Sequence, residues 1–264
     1  MGVKVLGFKI VDDDGCFTMG LLREILAEIV GTFFLIILGC GGVQAACADK
    51  GADEALGAAR ILQIGIAFGL GIGGTVHLFS DISGGQLNPA VSFGLFFARK
   101  LSLVRAAVLS VAQIIGGLIA AGIMKAIFTS APGAVSMGEG ISGGKGLILE
   151  FLGTFFLVMT VLATINGKRG HAAGYLQPLS IGIAILVAHM FLVPLTGCGI
   201  NPARSLATNI IEGKIGADFF AYILGPLLGS VVGGIIYEFI FDPHYGAGKY
   251  AAVGETNGEV NEMT

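Results

Sequence analysis

Apolar residues run along this chain in long blocks broken by short polar connections. Six blocks, at about 21–44, 60–80, 102–128, 146–166, 175–196 and 217–241, reach the roughly 20 residues that a helix needs to cross a bilayer. The spacing predicts a transmembrane helix for each. Two further apolar stretches, 88–97 and 201–211, are too short to cross, and each opens on Asn-Pro-Ala: Asn88, Pro89 and Ala90, then Asn201, Pro202 and Ala203. Asn is a favoured helix N-cap, and Pro suits the first helical position because its missing N–H would have no partner there. Each stretch therefore reads as a half-helix that begins at membrane depth. Non-helical backbone is tolerated there only where protein buries it or a watery cavity solvates it. Two such starts predict a pore or binding site built from broken helices.

The order of elements is duplicated. Glu28-Ile-Val-Gly-Thr-Phe-Phe34 returns as Glu150-Phe-Leu-Gly-Thr-Phe-Phe156, Ile64-Gly-Ile-Ala67 returns as Ile181-Gly-Ile-Ala184, and Asn-Pro-Ala returns 113 positions on. Each unit holds three full spans, so the second copy enters the membrane from the opposite side and the two half-helix starts meet near the midplane. The expected class is an all-α membrane protein with six transmembrane helices, two re-entrant half-helices and an inverted repeat. Its parts are an N-terminal tail (1–20), a first repeat (21–128, half-helix 88–97), a second repeat (146–241, half-helix 201–211) and a C-terminal tail (242–264).

Composition agrees with a membrane protein: mean hydropathy is +0.85, 12% of residues are charged, and 44 of 264 are Gly. Gly65, Gly69 and Gly73, Gly116 with Ala120, and Gly229 with Gly233 stand at helical spacing, as close-packed helices require. A net charge of −3 gives no reason to expect a nucleic-acid partner. Cys16, Cys40, Cys47 and Cys198 form neither a metal spacing nor a disulfide framework, so no metal and no cofactor is expected. The opening, with Lys4, Lys9 and Asp12-Asp13-Asp14, reads as a short polar tail and not as a signal peptide. Arg99, Lys100 and Arg105, with Lys168 and Arg169 in the fourth connection, place those connections and both termini in the cytoplasm by the positive-inside rule.

Two opposed helix starts carry partial positive charge. If each Asn oxygen caps its own helix, its amide NH2 is left to point outward, and a midplane water accepting from both turns its hydrogens away from the centre. Cations are repelled and a proton wire is broken in polarity. Arg204, on the first turn of the second half-helix, is costly within a membrane segment and marks a pathway. His189 lies among apolar residues of the fifth span, where it either packs or faces the pore. Cys198 with His189 has no orienting carboxylate nearby in sequence, so no enzyme is expected. Glu28 and Glu150 are buried at equivalent repeat positions. They are either proton-relay groups or, as the stronger reading, acceptors for the non-helical backbone of the re-entrant loops.

Ile82-Ser-Gly-Gly-Gln-Leu-Asn-Pro-Ala-Val91, Thr196-Gly-Cys-Gly-Ile-Asn-Pro-Ala-Arg-Ser205 and the paired Glu-x-x-Gly-Thr openings resemble the aquaporins of the major intrinsic protein family, from about Leu22 to Phe241. The resemblance implies a homotetramer with a pore in each protomer. By motif it maps a narrow filter onto Phe68, His189, Cys198 and Arg204, a set similar to that of the water-selective branch. An aromatic wall with an imidazole and a guanidinium leaves a slot about one water wide. Asn209, where that branch usually has Ala, and Tyr222-Ile223, in place of an aromatic pair, depart from its pattern. Gly94–Leu103 resembles the same loop of plant plasma-membrane aquaporins, which implies a plasma-membrane location. In that subgroup the serine matching Ser102 and a histidine of the fourth connection are associated with pore closure, which points to His171 and Leu176 here. Cys198 replaces the subgroup's usual Thr. Asp12-Asp13-Asp14 either anchors such a loop through a divalent cation or is a solvated tail, the stronger reading.

The expected function is passive water conduction, with water and the lipid bilayer as its partners. The alternatives are a glycerol or small-solute facilitator, a structural junction protein with a secondary pore, and a proton-coupled carrier that uses Glu28 and Glu150.

Overall fold

The computed structural model describes residues 2–12, 18–48, 57–128, 132–165 and 176–242. Its elements are α1 (Met19–Cys47), α2 (Ala58–Ser83), the half-helix α3 (Pro89–Phe97), α4 (Leu103–Phe128), α5 (Gly143–Thr164), α6 (Gln177–Thr196), the half-helix α7 (Pro202–Glu212) and α8 (Ala221–Ile236). The sixth span is composite. A turn of 3-10 helix (Ala217–Phe220) leads into α8, and a π turn (Tyr237–Phe241) leaves it. Among the described residues, six helices are long and apolar enough to cross a bilayer. The first runs longer at both ends than the hydrophobic block alone indicates, because the Thr18 hydroxyl accepts from Leu21 N–H and starts it at Met19. Gly84, Gly197 and Gly213 end α2, α6 and α7 in the left-handed conformation, where a Cβ would be strained.

The repeat is visible in the packing. α1 lies against α2 and α4, and α5 lies against α6 and α8. The half-helices cross over: α3 packs mainly on α8 of the other repeat, and α7 on α4. The repeats join along α2 and α6, where a Cβ on Gly69 would stand 2.6 Å from Gly182 O, and one on Gly182 would stand 2.6 Å from Gly69 O. Only two glycines permit that approach. Between apolar helices in lipid, backbone proximity replaces the hydrophobic effect as the source of association. Outward faces remain apolar, as on α4, where Val111, Ile115, Ile119, Ile123 and Ile127 are exposed at four-residue intervals.

The N-terminal segment departs from the expected solvated tail. Lys4–Val5 and Phe8–Lys9 pair as an antiparallel hairpin. Its turn residues, Leu6 and Gly7, both have positive φ, as tight hairpins require. Phe8 packs on Phe96 and Phe97 at the end of α3, with ring centroids 5.4 and 6.1 Å apart. The Arg99 guanidinium lies over both Phe8 and Phe239. Asp12 is engaged as well, accepting from Ser102 Oγ at 2.6 Å and facing Arg105 and Lys9; Asp13 and Asp14 lie outside the described residues. Both ends of the described chain share this face, because Lys100 Nζ meets Asp242 at 2.8 Å and Glu238 at 3.3 Å. Burial disfavours the Lys100 charge, but these two carboxylates outweigh it and hold Lys100 above the ordinary lysine value.

Candidate transmembrane pore

The two Asn-Pro-Ala segments meet inside the protein. Asn88 Oδ1 accepts from Ala90 N–H at 2.9 Å, and Asn201 Oδ1 accepts from Ala203 N–H at 3.0 Å and Arg204 N–H at 3.2 Å. Each cap is thus made by its own side chain, with Pro at the first helical position. The amide groups do not simply point outward. Asn88 Nδ2 donates to Ile200 O at 2.9 Å, and Asn201 Nδ2 donates to Leu87 O at 2.8 Å, so each loop is tied to the other. An amide has two N–H groups, and the second of each remains for the lumen.

The residues receiving those bonds are strained. Leu87 has φ 53° and Ile200 has φ 42°, a region that side chains, β-branched ones above all, rarely enter. Their amides are held from behind. Glu28 accepts from Ser83 Oγ (2.6 Å), Gln86 N–H (2.9 Å), Leu87 N–H (2.7 Å) and Gln113 Nε2 (2.7 Å). Glu150 accepts from Thr196 Oγ1 (2.6 Å), Gly199 N–H (2.9 Å) and Ile200 N–H. Leu87 and Ile200 are therefore each fixed at both ends, by a carboxylate of their own repeat and an asparagine of the other. Both carboxylates are fully buried and answer loop donors that water cannot reach.

A cavity of about 290 Å³ runs past this junction, lined at its middle by Asn88 and Asn201 and toward one end by Phe68, His189 and Arg204. Lys100, Leu101, Ser80 and Gln177 line the other end. The Phe68 and His189 rings stack with centroids 4.2 Å apart and planes 21° apart, and the Arg204 guanidinium lies 5.3 Å from the Phe68 centroid. These three side chains are buried, at 1%, 2% and 2% exposed, and converge on the same part of the cavity wall. His189 Nδ1 lies 2.8 Å from Ile185 O. A carbonyl only accepts, so that nitrogen carries the hydrogen and Nε2 of the neutral ring is an acceptor. Among the described residues, His189 Nε2 and Arg204 Nε are buried without a hydrogen-bond partner, one an acceptor and one a donor. Arg204 Nη1 donates to Gly133 O at 2.6 Å. Cys198 is buried in the segment between α6 and α7 with φ 57°, but it is not among the described residues that line the cavity.

Of the remaining candidates, Ser102 is fully buried and its hydroxyl bonds Asp12 of the N-terminal segment. Leu176 is 55% exposed at the start of α6 and does not line the cavity. His171 lies outside the described residues. Sequence reasoning did not single out Gln113, Ser83, Thr196 or Gly133. Gln113 was detectable as a lone amide in an apolar span. Ser83 and Thr196 each stand five residues before an Asn-Pro-Ala asparagine. Gly133 contributes only a backbone carbonyl, for which no residue type is a signal.

A family model described as "Major intrinsic protein" matches residues 16–237. Aquaporin PIP2-3 of Zea mays is 38% identical over 247 residues, covering 88% of this chain and 85% of that protein. Aquaporin-1 of Ovis aries is 33% identical over 226 residues, covering 84% and 83%. Among solved structures, the aquaglyceroporin from Plasmodium falciparum superimposes with a TM-score of 0.73 at 23% identity, covering 85% of this chain and 98% of that one. That last likeness is one of fold.

Proposed function

The chain belongs to the major intrinsic protein family, the aquaporins, and from that membership we propose how its residues carry the family's transport. It is a multi-pass membrane channel that passes water down an osmotic gradient and excludes ions and protons. The observation that carries the residue-level reading is the reciprocal donation of Asn88 to Ile200 O and Asn201 to Leu87 O at the lumen. With one N–H of each amide committed, the other two N–H groups face the lumen from opposed half-helices. A passing water accepts from them, its own hydrogens turn outward, and a hydrogen-bonded proton wire cannot keep one polarity through the junction. Two helix N-termini add a barrier to cations.

Phe68, His189 and Arg204 form the narrow filter. Arg204 Nε offers a donor and His189 Nε2 an acceptor, so one water is bridged while the stacked rings deny width to a carbon chain. The ring stack supports water over glycerol. Glu28 and Glu150 support the loops, each accepting two backbone N–H groups of its own re-entrant segment. We further propose a homotetramer in the plasma membrane with both termini cytoplasmic, the exposed stripe on α4 facing lipid or a neighbouring protomer. Closure from the cytoplasmic face would act through the bond between Ser102 and Asp12, with His171 as a further participant.

Stopped-flow light scattering on proteoliposomes tests the reading. Sucrose and glycerol gradients should give the same fast shrinkage, and the glycerol vesicles should not re-swell faster than protein-free ones. Fast re-swelling in glycerol would overturn the filter assignment.

A further inference from the structure

We propose that Asn209 is a positioning residue that sets selectivity by holding the backbone to which Arg204 is tied, an inference that rests on Arg204 lining the filter. Asn209 is fully buried on the last turns of α7. Its amide pairs with both backbone groups of one residue: Oδ1 accepts from Val135 N–H at 2.9 Å and Nδ2 donates to Val135 O at 2.8 Å. The second amide hydrogen reaches Lys214 O at 2.8 Å, locking the side chain to the end of its own helix. Two residues before Val135, Gly133 presents its carbonyl to Arg204 Nη1. Gly133 has φ 80°, and a Cβ there would stand 2.7 Å from Cys40 Sγ, so this carbonyl has little freedom once Val135 is fixed. The connection between α4 and α5 is thus pinned at Val135, packed there by Phe219 and Tyr222, and it delivers one acceptor to the filter arginine. Asn209 and Arg204 stand on the same half-helix, so the loop is braced against the element that it orients. An alanine here leaves Val135 with a buried donor and acceptor unpaired. The loop then moves to satisfy them, and Arg204 loses its fixed partner.

The test compares Asn209→Ala, Arg204→Val and the double variant in proteoliposomes, reading the ratio of urea to water permeability. Each permeability is taken after subtracting that of protein-free vesicles, so the ratio does not depend on how much protein inserts and a merely structural loss of folded channel leaves it unmoved. Asn209→Ala should raise it about five-fold, the population shift that one lost hydrogen bond of ordinary net strength allows. In the Arg204→Val background the same substitution should change it by less than about two-fold, because the group acted upon is gone. Asn209→Asp keeps the shape, loses the donated bonds and moves the ratio in the same direction, which decides the matter if the alanine variant does not assemble. An unchanged ratio in both Asn209 variants, or an equal rise with and without Arg204, overturns the inference. If Arg204→Val alone leaves the ratio at the wild-type value, it is the filter reading that falls.

Discussion

Replacing either buried glutamate by glutamine removes a charge while keeping shape, and the geometry fixes what is lost. At Glu28 one backbone N–H falls on each oxygen, Gln86 on Oε1 and Leu87 on Oε2. Glu150 repeats the arrangement with Gly199 and Ile200. A glutamine presents one oxygen and one NH2, so either rotamer turns a donor against one backbone donor. Ser83 can rotate its hydroxyl and Gln113 can flip its amide, but the backbone cannot turn. The cost is one orphaned buried N–H, about 1–3 kcal/mol, with the loss of charge assistance to the rest adding to it. Taking roughly 3 °C per kcal/mol for a chain of this size, Glu28→Gln and Glu150→Gln should each lower the melting temperature by about 5 °C. Alanine orphans both backbone donors of a loop and should cost at least twice as much. Fluorescence-monitored melting of the purified protein in detergent reads this directly. Glutamine variants that melt with the wild type would refute the role of these carboxylates as backbone acceptors. A selective loss of pH-driven solute accumulation would restore the proton-relay reading.

Three further outcomes follow from the same geometry. Phe68→Ala with His189→Ala removes both stacked rings and should admit glycerol while water still passes; a glycerol-tight double variant, scored by re-swelling, would displace these side chains from the filter. Asp12→Ala removes the acceptor that holds the Ser102 hydroxyl at 2.6 Å and should speed phosphorylation of Ser102 by a basophilic kinase, read by phosphate incorporation; an unchanged rate would mean that the bond does not shield the serine. Lys100 has a raised folded value, so its contribution is intact below the ordinary lysine range and fades only as pH climbs through that raised value. The melting difference between wild type and Lys100→Met should therefore be flat from about pH 6 to 9 and shrink above about 10.5, and a difference that shrinks already near neutral pH would assign the contact to another group.

The spans and half-helices were legible because bilayer thickness and the Asn-Pro cap each leave a local mark. Breaks in hydropathy placed α2, α4 and α6 to within two residues at most boundaries, and Asn88 and Asn201 announced both half-helix starts. The crossed asparagine bonds were not legible. They join residues more than a hundred positions apart, and whether an amide turns to the lumen or to a facing carbonyl depends on the strained backbone at Leu87 and Ile200. The hairpin at Lys4–Lys9 escaped for the opposite reason: its charges read as solvated, while Phe8 and the Arg99 stack that dock it are single residues without periodicity. Asn209 showed as a departure from the water-selective pattern, but its partner Val135 contributes only backbone, which leaves no trace in residue type.

Water and proton flux measured together in one vesicle preparation bear most directly on the asparagine junction. Proteoliposomes loaded with a pH-sensitive dye, with the membrane potential clamped by a potassium ionophore, are mixed with sucrose and with acid in parallel. Reciprocally tied asparagines in the cavity wall should give osmotic shrinkage far faster than in protein-free vesicles, together with a proton leak equal to theirs. A proton flux that rises in proportion to water flux as more protein is reconstituted would contradict it.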